Sequence, residues 1–201
     1  MIKRISCCLI LFFVVPAISF GGDVSAQTKV TAPNGNEGQS YVVSRVLDGD
    51  TFRLSNGQNL KLAGINTPEL HNMPILTQEA KKFKKEIWAY RNIGVEAYQA
   101  VQHFLDVAKN EIKVESDVDV FDQEGNLLGY VYISLGKLEE NMTSDSTAFI
   151  ENGNNYTIFL NAYLVKMGLA EVLPDGTSGK YHDLFLKLQQ EAKENKKGMW
   201  K

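Results

Sequence analysis

Two short polar motifs hold the side chains that are best suited to chemistry. They are the runs Asp48-Gly49-Asp50-Thr51 and Asn66-Thr67-Pro68-Glu69, which group carboxylates with amide and hydroxyl oxygens. Each run is also an ordinary turn sequence, because Asp-Gly favours a hairpin turn and proline favours turns in general. Residue type alone leaves both interpretations open, so the choice depends on the elements that position the two runs.

A run of lysines follows the second motif and is a candidate nucleic-acid-binding patch. Glu79 and Glu86 are interleaved with these lysines, and mixed charge of this kind is typical of a solvated helix face. We favour the solvated face for the whole run, which comprises Lys81, Lys82, Lys84 and Lys85.

Two other candidates near the motifs have simpler explanations. His71 lies close to the second motif along the chain, but a lone loop histidine is usually exposed, so a catalytic role is not expected. The run DVDVFD at 117–122 resembles a calcium loop only superficially, since it lacks the glycine and the terminal glutamate of an EF-hand. We interpret it as a strand that ends in a turn.

The N-terminal segment differs in composition from the rest of the chain. Lys3 and Arg4 precede an apolar run at 5–20, and small residues follow up to Ala26. This order is typical of a secretory signal peptide covering residues 1–26. A membrane anchor is the alternative, but the apolar run is shorter than the roughly 20 residues that a spanning helix needs. The chain is therefore expected to be secreted or periplasmic, without a transmembrane segment after cleavage.

Composition narrows the class of protein further. The 201 residues are 44% hydrophobic and 22% charged, as in a globular chain with one domain and a targeting segment. Cys7 and Cys8 lie early in the signal, away from a lipidation position, so disulfides, thiolate metal sites and a cysteine nucleophile are not expected after cleavage. The remaining 19 basic and 23 acidic residues give a charge of −4, which does not favour tight nonspecific nucleic-acid binding.

Alternating apolar residues and tight turns predict a β-meander at the start of the domain. Residues 27–39 are rich in Gly, Asn, Thr and Ser and are expected to form a flexible linker. Strands are predicted at 41–46, 51–54 and 60–65, joined by Asp-Gly and Asn-Gly turns. The first polar motif therefore contains the turn between the first two strands.

Helical and strand patterns alternate in the middle of the chain. A helical period extends over 77–110 and is interrupted at 92–94, which predicts two helices. Strand patterns return at 112–120 and 127–133, with a turn at 122–126 between them.

The order of these elements predicts the fold class. Helices are predicted at 156–167 and 181–193, after the last strand. Five strands with helical sequence after the third match the OB topology. The expected class is α+β, with a five-stranded OB-fold β-barrel and flanking helices.

Five motifs also occur in a characteristic order. They are VLDGDT at 46–51, LAGINTPE at 62–69, GVEA at 94–97, NAYLVKMGLA at 161–170 and a C-terminal segment at 191–200 that ends in GMW. In order and spacing they resemble the thermonuclease family of staphylococcal-nuclease-like domains, and the match covers residues 41–200. The resemblance implies one OB-fold domain at 40–201 with two departures: a lysine-rich helix near 77–92 and an insert near 136–155, expected to be a surface loop or hairpin extension.

The resemblance also implies a phosphodiester-hydrolysing site. In the family, two aspartates and a threonine backbone carbonyl hold calcium, a glutamate acts as the base, and two arginines clamp the phosphate. The corresponding positions for the metal are Asp50, Asn66 and Thr67, and Asp48 adds a negative charge nearby without binding the metal itself. Glu69 corresponds to the base, and Lys61 and Asn126 correspond to the two arginines.

Three of these positions are altered, with different consequences. Asn66 keeps an oxygen that can bind calcium but removes a negative charge, so a weak calcium site is expected. Lys61 keeps its positive charge without a planar pair of donors, and Asn126 keeps neither feature. If one donor to the developing charge is worth about 3 kcal/mol, the loss of two lowers the rate by roughly four orders of magnitude.

Two functions from different classes therefore remain open. The first is an exported, calcium-dependent nuclease with weak or lost activity, whose expected partner is single-stranded DNA or RNA. The second is a catalytically inactive OB-fold binding module for a protein, an oligonucleotide or an envelope partner. Asp48, Asp50, Thr67 and Glu69 favour the first, whereas the altered positions and the acidic charge balance favour the second, which is preferred on balance. A monomer is expected in both cases.

Overall fold

The computed structural model describes residues 38–116, 120–137, 148–152, 155–174 and 179–201. The predicted signal peptide and nearly all of the predicted linker lie outside these ranges, as do residues 117–119 of the DVDVFD run and much of the second insert. Within the described ranges, every helix is too short or too polar to cross a membrane.

Three antiparallel strands begin the fold, and they confirm the predicted meander, although the third strand ends at residue 62 and not at 65. The strands are β1 (Gln39–Val46), β2 (Thr51–Leu54) and β3 (Asn59–Leu62). Leu60 and Leu62 of β3 are buried in the core. Because successive side chains of a strand point to opposite faces, Lys61 between them points away from the core.

A two-residue strand and two helices follow the meander. β4 (Ile65–Asn66) leads to α1 (Met73–Lys82) and α2 (Ile87–Val107). Two helices are present as predicted, but the predicted break at 92–94 is wrong, because α2 continues through it and the break lies at 83–86. The lysine-rich helix predicted near 77–92 therefore comprises the end of α1 and the start of α2.

Gly94 lies inside α2 for a packing reason. A Cβ atom at this position would come within 2.6 Å of the Pro68 backbone oxygen and 2.9 Å of Leu70 Cδ2. Only glycine lets the helix approach this segment so closely. The glycine that suggests a helix break in the sequence thus marks the contact between α2 and the end of the second polar motif.

Two further strands close the barrel. β5 (Glu111–Glu115) pairs antiparallel with β1 and with β6 (Leu127–Gly136), and β6 pairs in parallel with β3. The order β3-β2-β1-β5-β6, with β6 returning to β3, is a closed five-stranded barrel. The expected α+β class with an OB-fold barrel is confirmed.

A hairpin extends the sheet beyond the barrel. It consists of β7 (Phe149–Asn152) and β8 (Asn155–Phe159), and β8 pairs with β6. The helix predicted at 156–167 is therefore wrong over its first four residues, since α3 covers only Leu160–Lys166; a short apolar run does not distinguish helix from buried strand. The hairpin extension expected as one form of the second insert is confirmed at its C-terminal end by the pairing of β7 with β8. The expected surface location is wrong there, because Ala148 and Ile150 are buried in the core.

The last elements are β9 (Glu171–Val172) and α4 (His182–Glu194). β9 pairs with β4, which places Asn66 opposite Glu171. The helix predicted at 181–193 is confirmed within one residue at each end.

A fully buried asparagine joins α3 to the barrel. The Asn161 side chain accepts a hydrogen bond from Val131 N (2.9 Å) and donates one from Nδ2 to Ala63 O (3.0 Å). Ala63 lies between β3 and β4, the strands that carry Lys61 and Asn66. Asn161 therefore holds the backbone between two residues of the predicted site.

Candidate active site

All seven site residues named from the sequence line one cleft of about 270 Å³. The cleft is formed where the turn before β2, strand β3, the segment that begins with β4, helix α1 and the turn before β6 meet. The seven residues are Asp48, Asp50, Lys61, Asn66, Thr67, Glu69 and Asn126, and the other lining residues are Thr51, Asn59, Ile75, Glu79 and Glu124.

Asp50 joins the two polar motifs. The residue is 4% exposed. Its Oδ1 accepts a hydrogen bond from Thr51 Oγ1 (2.8 Å), and its Oδ2 accepts one from Thr67 N (3.1 Å). The turn in the first motif therefore places the buried carboxylate of Asp50 in contact with the backbone of the second motif.

The two carboxylates of the first motif lie in surroundings that disfavour their charged forms. Burial, and then the charge of Asp50, raises the pKa of Asp48 from 3.8 to about 7. Burial also raises the pKa of Asp50, although Lys61 and the hydrogen bond from Thr67 N oppose the rise. Thr67 Oγ1 is buried and has no hydrogen-bond partner among the described residues. A cation beside these groups would favour their charged forms.

Glu69 is fixed by the segment that leads into α1. Its Oε1 accepts hydrogen bonds from the backbone N–H groups of His71 (2.8 Å) and Asn72 (3.1 Å), and the residue is half-buried. These bonds leave the second oxygen, Oε2, available to other partners. His71 is exposed and its ring Nε2 lies 3.1 Å from Leu47 O, so it joins two loops outside the cleft lining, as expected for a loop histidine.

The two positions that correspond to arginines differ in what they can still do. Lys61 is the single cation among the described residues that line the cleft. Asn126 is 8% exposed, and its Nδ2 donates to Asp122 Oδ2 (2.8 Å) and more weakly to Glu124 Oε2 (3.4 Å). The backbone N–H of Asn126 donates to Asp122 Oδ1 (2.8 Å). The donors of Asn126 are thus directed at carboxylates and not at a phosphate.

Glu79 of α1 is a cleft residue that the sequence interpretation misses. The interleaved charges predict a solvated helix face, which is wrong for Glu79. Its Oε1 accepts a hydrogen bond from Asn66 Nδ2 and its Oε2 accepts one from Glu69 N, both at 3.0 Å. A usable signal was present, because Leu76 and Ala80 are the buried positions of α1 and Glu79 follows Leu76 at the spacing of one helix face.

The oxygen atoms at the cleft suit a hard cation held weakly. The described ranges contain no cluster of three or more His, Cys, Asp or Glu side chains arranged to hold a metal ion. An ion here would rely on the Asp50 carboxylate together with neutral oxygens from Asn66 and Thr67, with Asp48 adding charge nearby. Oxygen donors with uncompensated negative charge fit calcium better than a softer metal. These ligand assignments stay predictions.

Two comparisons relate the chain to known proteins. The family model described as staphylococcal nuclease homologue matches residues 59–201, which is more than half of the chain. The uncharacterized protein MJ1439 of Methanocaldococcus jannaschii is 32% identical over 179 residues, and the alignment covers 79% of this chain and 70% of that protein. The family match includes Lys61, Asn66, Thr67, Glu69 and Asn126, and the first polar motif precedes it.

Proposed function

Because this chain belongs to the staphylococcal nuclease family, we propose that its cleft binds calcium and hydrolyses the phosphodiester bonds of DNA or RNA only weakly. Domains of this family bind nucleic acids and are generally calcium-dependent. The observation that carries the proposal is that the cleft keeps some of the groups that hydrolysis needs and lacks others. Glu69, Asp50 and Lys61 line it together, whereas the amide of Asn126 is bound to Asp122.

Glu69 is the group that would activate water. Two backbone N–H groups hold its Oε1, which orients the carboxylate and leaves Oε2 to accept a proton. A bound calcium ion would supply positive charge to the phosphate. Lys61 attracts the phosphate as a point charge, since an ammonium group lacks the two-pronged geometry of a guanidinium.

The charge distribution explains why the activity is expected to be weak. Removal of one preorganised donor to a developing negative charge typically lowers kcat by about 10²- to 10³-fold. Asn126 offers no such donor, and Lys61 offers less than an arginine would. In addition, carboxylates outnumber the single lysine in the cleft lining and repel a polyanion when no cation is bound; they belong to Asp48, Asp50, Glu69, Glu79 and Glu124.

The same charge imbalance favours a second candidate function. An acidic cleft on an OB barrel suits a binding module for a basic segment of a protein better than it suits a module for nucleic acid. In that case the protein keeps the fold of the family but does not hydrolyse nucleic acid. The hydrogen bonds from Asn126 to Asp122 agree with this function, because they leave no donor at position 126 for a phosphate.

A nuclease assay on end-labelled single-stranded DNA separates the two candidates. The purified protein is incubated at high enzyme concentration with calcium or with chelator, beside Glu69→Gln and a matched control, Glu111→Gln. Glu111 is exposed on β5 and outside the cleft lining. We expect slow cleavage that needs calcium, is abolished in Glu69→Gln and is unchanged in Glu111→Gln.

Other outcomes of this assay have definite meanings. Cleavage that survives both the chelator and Glu69→Gln would come from a contaminant or another site, and it would refute the proposed mechanism. No cleavage by a protein that is folded and binds calcium would leave the binding module as the better function.

We also propose that the protein is exported to the periplasm or secreted. The support is the charged, apolar and small-residue order of residues 1–26. Mass spectrometry of the protein from the cell exterior or periplasm should find Gln27 at the N-terminus. Recovery of the chain only from the cell interior, with Met1 attached, would contradict this proposal.

A further inference from the structure

We propose that Asn66 and Glu79 form one cation-binding unit, in which Glu79 supplies the negative charge and fixes the amide of Asn66 so that its oxygen is left for the cation. The proposal rests on the proposed function, since it concerns the same calcium site. Glu79 acts through Asn66, and it is therefore a positioning residue.

The hydrogen bond between the two side chains determines how the amide is oriented. A carboxylate can only accept hydrogen bonds, so the amide atom 3.0 Å from Glu79 Oε1 must be the donor Nδ2. The other terminal atom of the Asn66 amide is then the oxygen, Oδ1. Because Asn66 lines the cleft and its Nδ2 is bound to Glu79, Oδ1 is the atom of this side chain that can bind a ligand in the cleft.

Both oxygens of Glu79 are occupied in this arrangement. Oε1 accepts from Asn66 and Oε2 accepts from the backbone N–H of Glu69, also at 3.0 Å. Glu69 in turn binds the backbone of His71 and Asn72 at the start of α1. The hydrogen bonds therefore fix helix α1 and strand β4 relative to each other, and Glu69, the proposed base, is part of the same network.

Helix α1 places Glu79 through its buried face. Leu76 is fully buried and Ala80 is 1% exposed, so the rotation of the helix about its axis is set by the core. Glu79 is half-buried at the edge of this face. A charged group at such a position is costly unless it is paired, and the two hydrogen bonds stabilise it.

The neighbouring carboxylate does not supply this charge. Glu171 lies opposite Asn66 across the β4–β9 pair, but its Oε2 forms an ion pair of 2.5 Å with Lys82 Nζ. Lys82 thus pairs with Glu171, whereas the two donors that bind Glu79 are both neutral. Burial raises the pKa of Glu79, and the hydrogen bonds from Glu69 N and Asn66 oppose that rise.

A reciprocal exchange of the two residues tests the unit. In Asn66→Asp alone, two carboxylates would face each other without a donor. In the double variant Asn66→Asp with Glu79→Gln, the charge moves to the strand, the donor moves to the helix, and both the hydrogen bond and the net charge are kept. The matched control is Glu86→Gln, because Glu86 is exposed just after α1 and makes no side-chain cap bond to α2.

Calcium titration calorimetry and thermal unfolding in chelator are measured for the unmodified protein, both single variants, the double variant and the control. We expect Glu79→Gln to lower calcium affinity about 10- to 100-fold, the usual range for loss of a group that orients a metal ligand. Its unfolding midpoint in chelator should not fall, because the glutamine oxygen can still accept from Glu69 N while its NH2 group donates to an Asn66 amide that has turned over, and a half-buried charge has been removed. Asn66→Asp should lower that midpoint, and the double variant should recover both the midpoint and most of the calcium affinity.

The failures of the two proposals are distinguishable. If the unmodified protein binds calcium and Glu79→Gln binds it equally well, the role of Glu79 is overturned and the calcium site stands. The role is also overturned if the double variant is no better than the weaker single variant. If the unmodified protein binds no calcium, the proposed function itself fails, and the cation-binding unit fails with it.

Discussion

Replacement of Asn161 by alanine is expected to lower the free energy of unfolding by about 4 kcal/mol, within a range of about 2 to 6. The side chain is fully buried, and its removal leaves Val131 N without an acceptor and Ala63 O without the Nδ2 donor. Each buried polar group left unpaired costs about 1–3 kcal/mol. Gly129 O, which also lies near Nδ2 at 3.4 Å, keeps its hydrogen bond from Ala63 N.

Urea unfolding followed by circular dichroism measures this loss. Asn92→Ala is the matched control, because Asn92 is exposed on α2 and its replacement should change stability by less than about 0.5 kcal/mol. Asn161→Asp should be at least as harmful as the alanine variant, since it removes the donor and buries a charge. Calcium affinity should also fall in Asn161→Ala, because the backbone between β3 and β4 is no longer held.

A small effect would refute this account of the barrel. If Asn161→Ala lost less than about 1 kcal/mol with an unchanged urea dependence, the buried hydrogen bonds to Val131 and Ala63 would not be what joins α3 to the barrel.

Three further predictions concern the electrostatics, the phosphate position and the hairpin. Because the pKa of Asp48 is raised from 3.8 to about 7, its contribution to the free energy of unfolding in chelator is full below pH 3.8 and is lost as the pH rises to about 7. Thermal unfolding of Asp48→Asn should therefore show a smaller loss over this pH range. An equal loss would mean that other groups cause the pH dependence. Asn126→Arg alone should leave cleavage nearly unchanged, because the Asp122 carboxylate would bind the arginine. Added Asp122→Asn, which keeps an oxygen for the backbone N–H groups of the turn, should raise cleavage at least ~10-fold; a full gain from the single variant would show that Asp122 does not compete. Ile150→Ala should lower the free energy of unfolding by about 2–4 kcal/mol in urea, and a loss under about 0.5 kcal/mol would mean that β7 is not part of the core.

The sequence predicts the barrel well because the information for it is local. Asp-Gly and Asn-Gly turns and alternating apolar residues lie within a few positions of one another, and they specify the meander of β1, β2 and β3. The helix break is a different case. Gly94 looks like a breaker, but its reason is contact with Pro68, which only the packed structure brings against α2.

The same limit applies at the cleft. From the sequence, arginine at 61 and 126 with aspartate at 66 would be the natural repair of a disabled nuclease. The structure changes that expectation, because Asn66 donates to Glu79 and an aspartate there would face a second carboxylate. An arginine at 126 would meet Asp122 before it met a phosphate.

The sequence by itself therefore indicated the seven predicted residues of the cleft and the turns and strands near them, because turns and strand alternation set side-chain direction locally. Only the tertiary structure decided which hydrogen-bond partners those side chains have. Glu79 reaches Asn66 from another element, and Asp122 occupies the amide of Asn126 across a turn. Hydrogen bonds of this kind depend on how a helix rotates against a core or how a loop folds back, and no periodicity along the chain encodes them.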